Sequence, residues 1–124
     1  MVATTFIKNL QDVGMEDLAH VGGKNASLGE MLRNLADLGI RIPGGFIITV
    51  ASFHAFMKHN RLDNRIVKIL EETAFQDLDS LRHCGESIRE LIVAGEMPPV
   101  IRQEILAAYD HLSNRYNTRN LDVG

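Results

Sequence analysis

One cysteine, Cys84, is all the thiol chemistry the chain has. An internal disulfide is therefore impossible, and a cysteine-built zinc site has no ligand set. Charge of one sign is also missing. Thirteen basic and 16 acidic residues are mixed along 124 positions, for a net charge of −3. No basic run or arginine stripe marks a nucleic-acid surface. No apolar run approaches the ~18 residues expected of a membrane span. The opening "MVATTFIKNL" has none of the basic, apolar and cleavage regions of a signal peptide. These absences fit a reducing cytoplasm and no membrane partner.

What is present suits one globular domain. Hydrophobic residues make up 45% and charged residues 23%, an ordinary balance. A chain this long buries roughly two-thirds of its unfolded surface. There is no internal repeat and no low-complexity linker.

Helical periodicity dominates. Residues 4–10 are β-branched and aromatic enough for an edge strand, and 11–23 read as turns with a helical piece near 15–19. From Asn25 the pattern predicts a helix. Leu28, Met31, Leu32, Leu35 and Leu38 form its apolar stripe, Glu30, Arg33, Asn34 and Asp37 face away, and Gly39 is its C-cap. Gly44-Gly45 punctuates two extended runs, and 46–49 is the best strand. Thr49 or Ser52 can cap the next helix, with Phe53, Phe56 and Met57 as its stripe.

Three further helices follow. Residues 63–73 bury Ile66, Ile69 and Leu70, and 77–94 bury Leu78, Leu81, Ile88, Leu91 and Ile92. Residues 98–116 open with proline and bury Ile101, Ile105, Leu112 and Tyr109. The expected fold class is α+β, mostly helical, with about two short strands and five helices. Two strands make a poor sheet, so their partners are expected outside the chain. An apolar run begins again at Leu121 and Val123.

The stretch "VGGKNASLGEM", residues 21–31, carries the most chemistry. A helix N-terminus leaves N–H groups unpaired and suits an anion. Gly22 and Gly23 allow close backbone approach, and Lys24 offers a full positive charge. The P-loop pattern is not met, because Leu18 stands where its first glycine belongs and Asn25 where its hydroxyl belongs. A plain glycine turn with an exposed lysine explains the same residues. Gly29, inside the helix, costs ~1 kcal/mol relative to alanine and points to close packing. His20, His54, His59, His83 and His111 lack metal-site spacing. Cys84 reads as a small core-facing residue, and Glu71-Glu72 as a solvated face.

Together "VGGKNASLGEM" and "GIRIPGGFIITVASFHAF" resemble the N-terminus of the phosphoenolpyruvate synthases, also called pyruvate, water dikinases. The resemblance covers residues 10–123, with Pro43, Gly45, Phe46, Thr49, Phe53 and Phe56 in family spacing. It implies the N-terminal portion of an ATP-grasp-like nucleotide-binding domain, with residues 1–124 forming a single partial domain. Lys24 would be the ATP-phosphate lysine and Gly22-Gly23 its supporting turn. The family passes phosphoryl from ATP, with magnesium, to a histidine on a swivelling domain and then to pyruvate. No catalytic residue and no metal ligand of that scheme falls in this chain. The family strand beginning at "LDV" continues into an arginine-bearing VRSSA motif beyond Gly124. The expectation is therefore an N-terminal segment, inactive alone and prone to self-association at its sheet edge. Pyruvate, phosphate dikinases and rifampin phosphotransferases share the pattern. A non-catalytic helical adaptor is the competing class.

Overall fold

The computed structural model describes residues 5–121. Among these, six α-helices, two short 3-10 turns and a two-stranded sheet make up the regular structure, a mostly helical α+β arrangement. The chain divides into two compact units. One holds the described residues through Phe53 together with those from Pro99 onward, and the other is His54–Pro98.

The first unit is built on β1 (Ile7–Asn9) and β2 (Phe46–Ile48). They pair antiparallel, with Ile7 opposite Ile48 and Asn9 opposite Phe46. The expectation that each strand finds its partner outside the chain is corrected here. The pairing is extended at both ends, where the Leu10 N–H donates to the Gly45 carbonyl and the Thr49 N–H to the Phe6 carbonyl. Helix α6 (Pro99–Tyr116) packs against both strands, which supplies the apolar cover a bare hairpin lacks. Its Ile101 is buried, and Ile105, Tyr109 and Leu112 are half-buried at the expected spacing. Leu121 is half-buried and lies outside any strand, while Val123 falls outside the described residues.

Between the strands the chain makes 3-10 turns at Leu10–Asp12 and Met15–Asp17, then α1 (Leu18–Val21) and α2 (Gly23–Ala36). The core joins Val13, Val21, Ala26 and Ile47, with Leu10 packed against it. Here the expected stripe of α2 holds at Leu32 and Leu35, which are half-buried, and fails at its other positions. Leu28, Met31 and Leu38 are exposed, at 37%, 51% and 73%, while Ala26 and Gly29 are buried. The period of the helix is right, but its most deeply buried positions are the small residues Ala26 and Gly29. Only small side chains let the 3-10 segment lie directly on the helix. A methyl group on Gly29 would collide with the Val13 carbonyl oxygen and stand 2.7 Å from Val13 Cγ2. Packing, as expected, explains that glycine.

Helix α3 (Val50–His59) begins after Thr49. Thr49 and Ser52 are both buried, and both hydroxyls donate to carbonyls outside the helix. Thr49 Oγ1 donates to the Thr5 carbonyl at 2.6 Å, and Ser52 Oγ to the Phe6 carbonyl at 2.7 Å. The hydroxyls tie the helix start to the chain entering β1.

In the second unit α4 (Leu62–Glu71) packs on α5 (Leu78–Val93). Ile66 and Ile69 are half-buried, as their spacing predicts, and Cys84 is buried as a small core-facing residue. Leu78 is 78% exposed, contrary to expectation. It is the first residue of α5, and the packed row runs through Cys84, Ile88 and Leu91 instead. Asp77 caps α5 by accepting from the Ser80 N–H at 3.0 Å and the Ser80 hydroxyl at 2.7 Å. Leu70 and Leu81 are each 38% exposed, and Phe53 of α3 is 52% exposed, so these positions of the expected stripes are not buried.

Candidate functional site

Gly22 separates α1 from α2 with φ 80° and ψ 163°, a conformation open essentially to glycine alone. Its N–H closes α1 on the Leu18 carbonyl at 2.9 Å, and its carbonyl accepts the first α2 bond from the Ala26 N–H at 3.0 Å. With no side chain at this N-cap, nothing local occupies the first helical donors. The N–H groups of Gly23, Lys24 and Asn25 have no acceptor among the described residues. Three donors therefore converge at the positive end of a 14-residue helix.

Lys24 is exposed on the second residue of α2 and makes no ion pair among the described residues. Gly22, Gly23 and Lys24, the three residues singled out from sequence, are thus brought together at one turn. No carboxylate among the described residues pairs with the lysine, so the turn can take an anion by charge and by backbone donors at once.

The 3-10 segment that precedes the turn is held on α2 by a polar network that sequence spacing did not reveal. Arg33 Nη1 donates to Glu16 Oε1 at 2.7 Å, and Arg33 Nη2 to the Asp12 carbonyl at 3.3 Å. The Met15 N–H donates to Glu30 Oε2 at 3.2 Å. Glu30 and Arg33, expected to face away, therefore clasp the 3-10 segment. The partners lie 15 to 21 residues apart, beyond the reach of helical-pair reasoning. The Arg33 hydrogen bond holds the Glu16 carboxyl below its usual range and raises the Arg33 guanidinium in turn. Asp17 is lowered as well, first by the Gly14 N–H and then by Lys8, whose Nζ stands 3.3 Å away.

On the sheet side of Asn25 lies a cavity of about 380 Å³, bounded by Gly45, Phe46, Ile47, Ile105, Tyr109 and Leu121. The Tyr109 hydroxyl accepts from the Leu121 N–H at 3.1 Å and donates to the Arg119 carbonyl at 3.0 Å, which fixes that wall. Among the described residues no group of three His, Cys, Asp or Glu side chains is placed to hold a metal ion. No helix among them is long and apolar enough to cross a membrane.

Comparison with known proteins gives the family. Residues 18–123 match the model of the pyruvate phosphate dikinase AMP/ATP-binding domain. The chain is 44% identical over 114 residues to the phosphoenolpyruvate synthase of Aquifex aeolicus, covering 92% of this chain and 13% of that protein. It is 38% identical over 109 residues to the phosphoenolpyruvate synthase of Pseudomonas aeruginosa, covering 88% of this chain and 14% of that protein. Against the Escherichia coli phosphoenolpyruvate synthase the identity is 39% over 101 residues, 82% of this chain and 13% of that protein. The chain thus spans 13–14% of the length of these curated relatives. The resemblance noted in the sequence holds, and the chain belongs to the pyruvate phosphate dikinase AMP/ATP-binding domain family.

Proposed function

We propose that the chain is the N-terminal segment of the ATP-binding domain of a phosphoenolpyruvate synthase. In this reading Lys24 and the Gly22-Gly23 turn hold ATP phosphates. The observation that carries it lies at the Gly22 turn, where three N–H donors have no acceptor and Lys24 no ion pair among the described residues. The match to an AMP/ATP-binding family supplies the ligand class. The names of the most similar relatives favour a synthase over a pyruvate, phosphate dikinase as the parent enzyme.

The wider reading follows from the resemblance. The domain is ATP-grasp-like, and the parent enzyme passes phosphoryl from ATP through a phosphohistidine to pyruvate, yielding phosphoenolpyruvate, AMP and phosphate. Phosphoryl transfer rests on positioning and charge neutralisation around in-line oxygens. This segment contributes positioning of the nucleotide phosphates. Magnesium would neutralise phosphate charge, and no ligand for it is assigned to the described residues.

The test is Lys24→Ala in the full-length enzyme. Loss of a charge-assisted phosphate contact, worth ~1.5–3 kcal/mol, should raise KM for ATP about ten- to hundredfold. Lys24→Arg should rescue partly, because a planar fork does not reproduce a point charge. Unchanged ATP kinetics in Lys24→Ala would leave only a glycine turn with an exposed lysine.

A further inference from the structure

An anion-binding helix N-terminus faces a conflict of design. A Ser, Thr, Asp or Asn at the N-cap would fix the turn, but its side chain would take one of the N–H groups the anion needs. Glycine at that position leaves the donors open, yet it is the residue with most backbone freedom to lose. Gly22 is the glycine solution, and nothing stands within 4 Å of where its Cβ would be. Something else must hold the turn.

Asn25 does so from the other side. Its Nδ2 donates to the Val21 carbonyl at 2.9 Å. Val21 is the last residue of α1, buried in the core, and its carbonyl receives no backbone N–H from α2. The bond spans Gly22 from the residue before it to the third residue of α2. It anchors the turn to a core position through an acceptor, so it consumes none of the three open backbone donors. Ala26, the next residue, is fully buried in the same core, which fixes where the Asn25 backbone sits.

Resting on the reading of Lys24 and its turn as an ATP-phosphate site, we infer that Asn25 is the positioning residue of that site. It locks the Gly22 turn through the Val21 carbonyl and keeps the Gly23, Lys24 and Asn25 N–H groups free and aimed for phosphate. It acts through the turn and does not itself bind the anion.

The experiment is steady-state kinetics on the full-length enzyme carrying Asn25→Ala, Asn25→Gln and Asn25→Leu, each alone and with Lys24→Ala. Losing one hydrogen bond should raise KM for ATP roughly three- to tenfold in Asn25→Ala. KM for pyruvate should stay unchanged. Asn25→Leu keeps the volume without the donor and should behave like Asn25→Ala, which guards against a folding defect in the smaller variant. Asn25→Gln retains a donor and should recover most of the ATP affinity. In the Lys24→Ala background the Asn25→Ala effect should shrink, because both act on one phosphate contact. Equal loss for ATP and pyruvate, or an undiminished effect in the double variant, overturns the positioning role. Normal ATP kinetics in Asn25→Ala beside impaired kinetics in Lys24→Ala overturns this inference alone. Normal kinetics in Lys24→Ala overturns the reading of the site beneath it.

Discussion

The Val13 carbonyl lies against the Cα of Gly29, so close that a side chain of any size on that helical residue would strike the backbone of the 3-10 segment. This contact is where α2 meets the rest of its unit, and it sets the height of the helix whose first turn carries Lys24.

Two helical glycines should therefore respond to alanine with opposite sign. Alanine normally stabilises a helix interior by ~1 kcal/mol relative to glycine. At Gly85 of α5 the new methyl would meet Arg89 Nη1 at 3.2 Å, the far end of a flexible chain that can move. Gly85→Ala should then stabilise by up to ~1 kcal/mol. At Gly29 the obstacle is backbone, so overpacking should win and Gly29→Ala should destabilise by about 1–3 kcal/mol. Urea denaturation of the two variants decides it, and a stabilised Gly29→Ala would mean the 3-10 segment yields freely.

Gly22→Ala tests conformation in isolation, since open space surrounds the missing Cβ and only the backbone angles object. An L-residue at φ 80° and ψ 163° should cost about 1–3 kcal/mol, or force the turn to another shape. The expected reading in the full-length enzyme is a higher KM for ATP together with lower thermal stability. Wild-type values for both would show that the turn does not need its left-handed glycine.

In the second unit Asn60 uses its whole amide. Nδ2 donates to the Phe56 and Glu96 carbonyls, both at 2.9 Å, and Oδ1 accepts from the Glu96 N–H at 2.7 Å. Asn60→Ala removes all three bonds and should cost about 1–3 kcal/mol. The residue-level check is hydrogen exchange at the Glu96 amide, which should accelerate in the variant. Unchanged protection there would show that another acceptor takes over.

The cap of α5 should be sensitive to acid. Hydrogen bonds from the Ser80 hydroxyl and then the Ser80 N–H hold Asp77 below its ordinary value of 3.8. A lowered folded-state pKa means the stabilisation is complete above that ordinary value and is lost as pH falls through the folded one. Asn is an equally good N-cap without a titrating group. Asp77→Asn should therefore lose less stability than the parent chain when pH is taken from neutral to below 3.8. Identical acid profiles for the two proteins, followed by urea midpoint, would remove Asp77 from the account.

Much of this molecule was legible along the chain, because local rules govern it. Periodicity placed α4 to α6 near their observed bounds, proline marked the opening of α6, and Gly22-Gly23 marked the turn that opens α2. The close approach at Gly29 could be foreseen as well, since glycine inside a helix needs a reason. What local rules could not supply was the full burial pattern of α2. Leu28 and Met31 outrank Ala26 and Gly29 in apolar surface, so hydrophobicity alone finds Leu32 and Leu35 but misses the two small residues buried deepest in α2. The helix faces inward with its small residues because a polypeptide segment, rather than another helix, lies on it. The clasp of Glu16 on Arg33, and the union of β1 with β2 across 37 residues, join positions distant in sequence. Asn25 illustrates the division most directly. Its place in the motif is a matter of sequence, but that its amide reaches back over Gly22 to Val21 was decided only when the core fixed both ends of the turn.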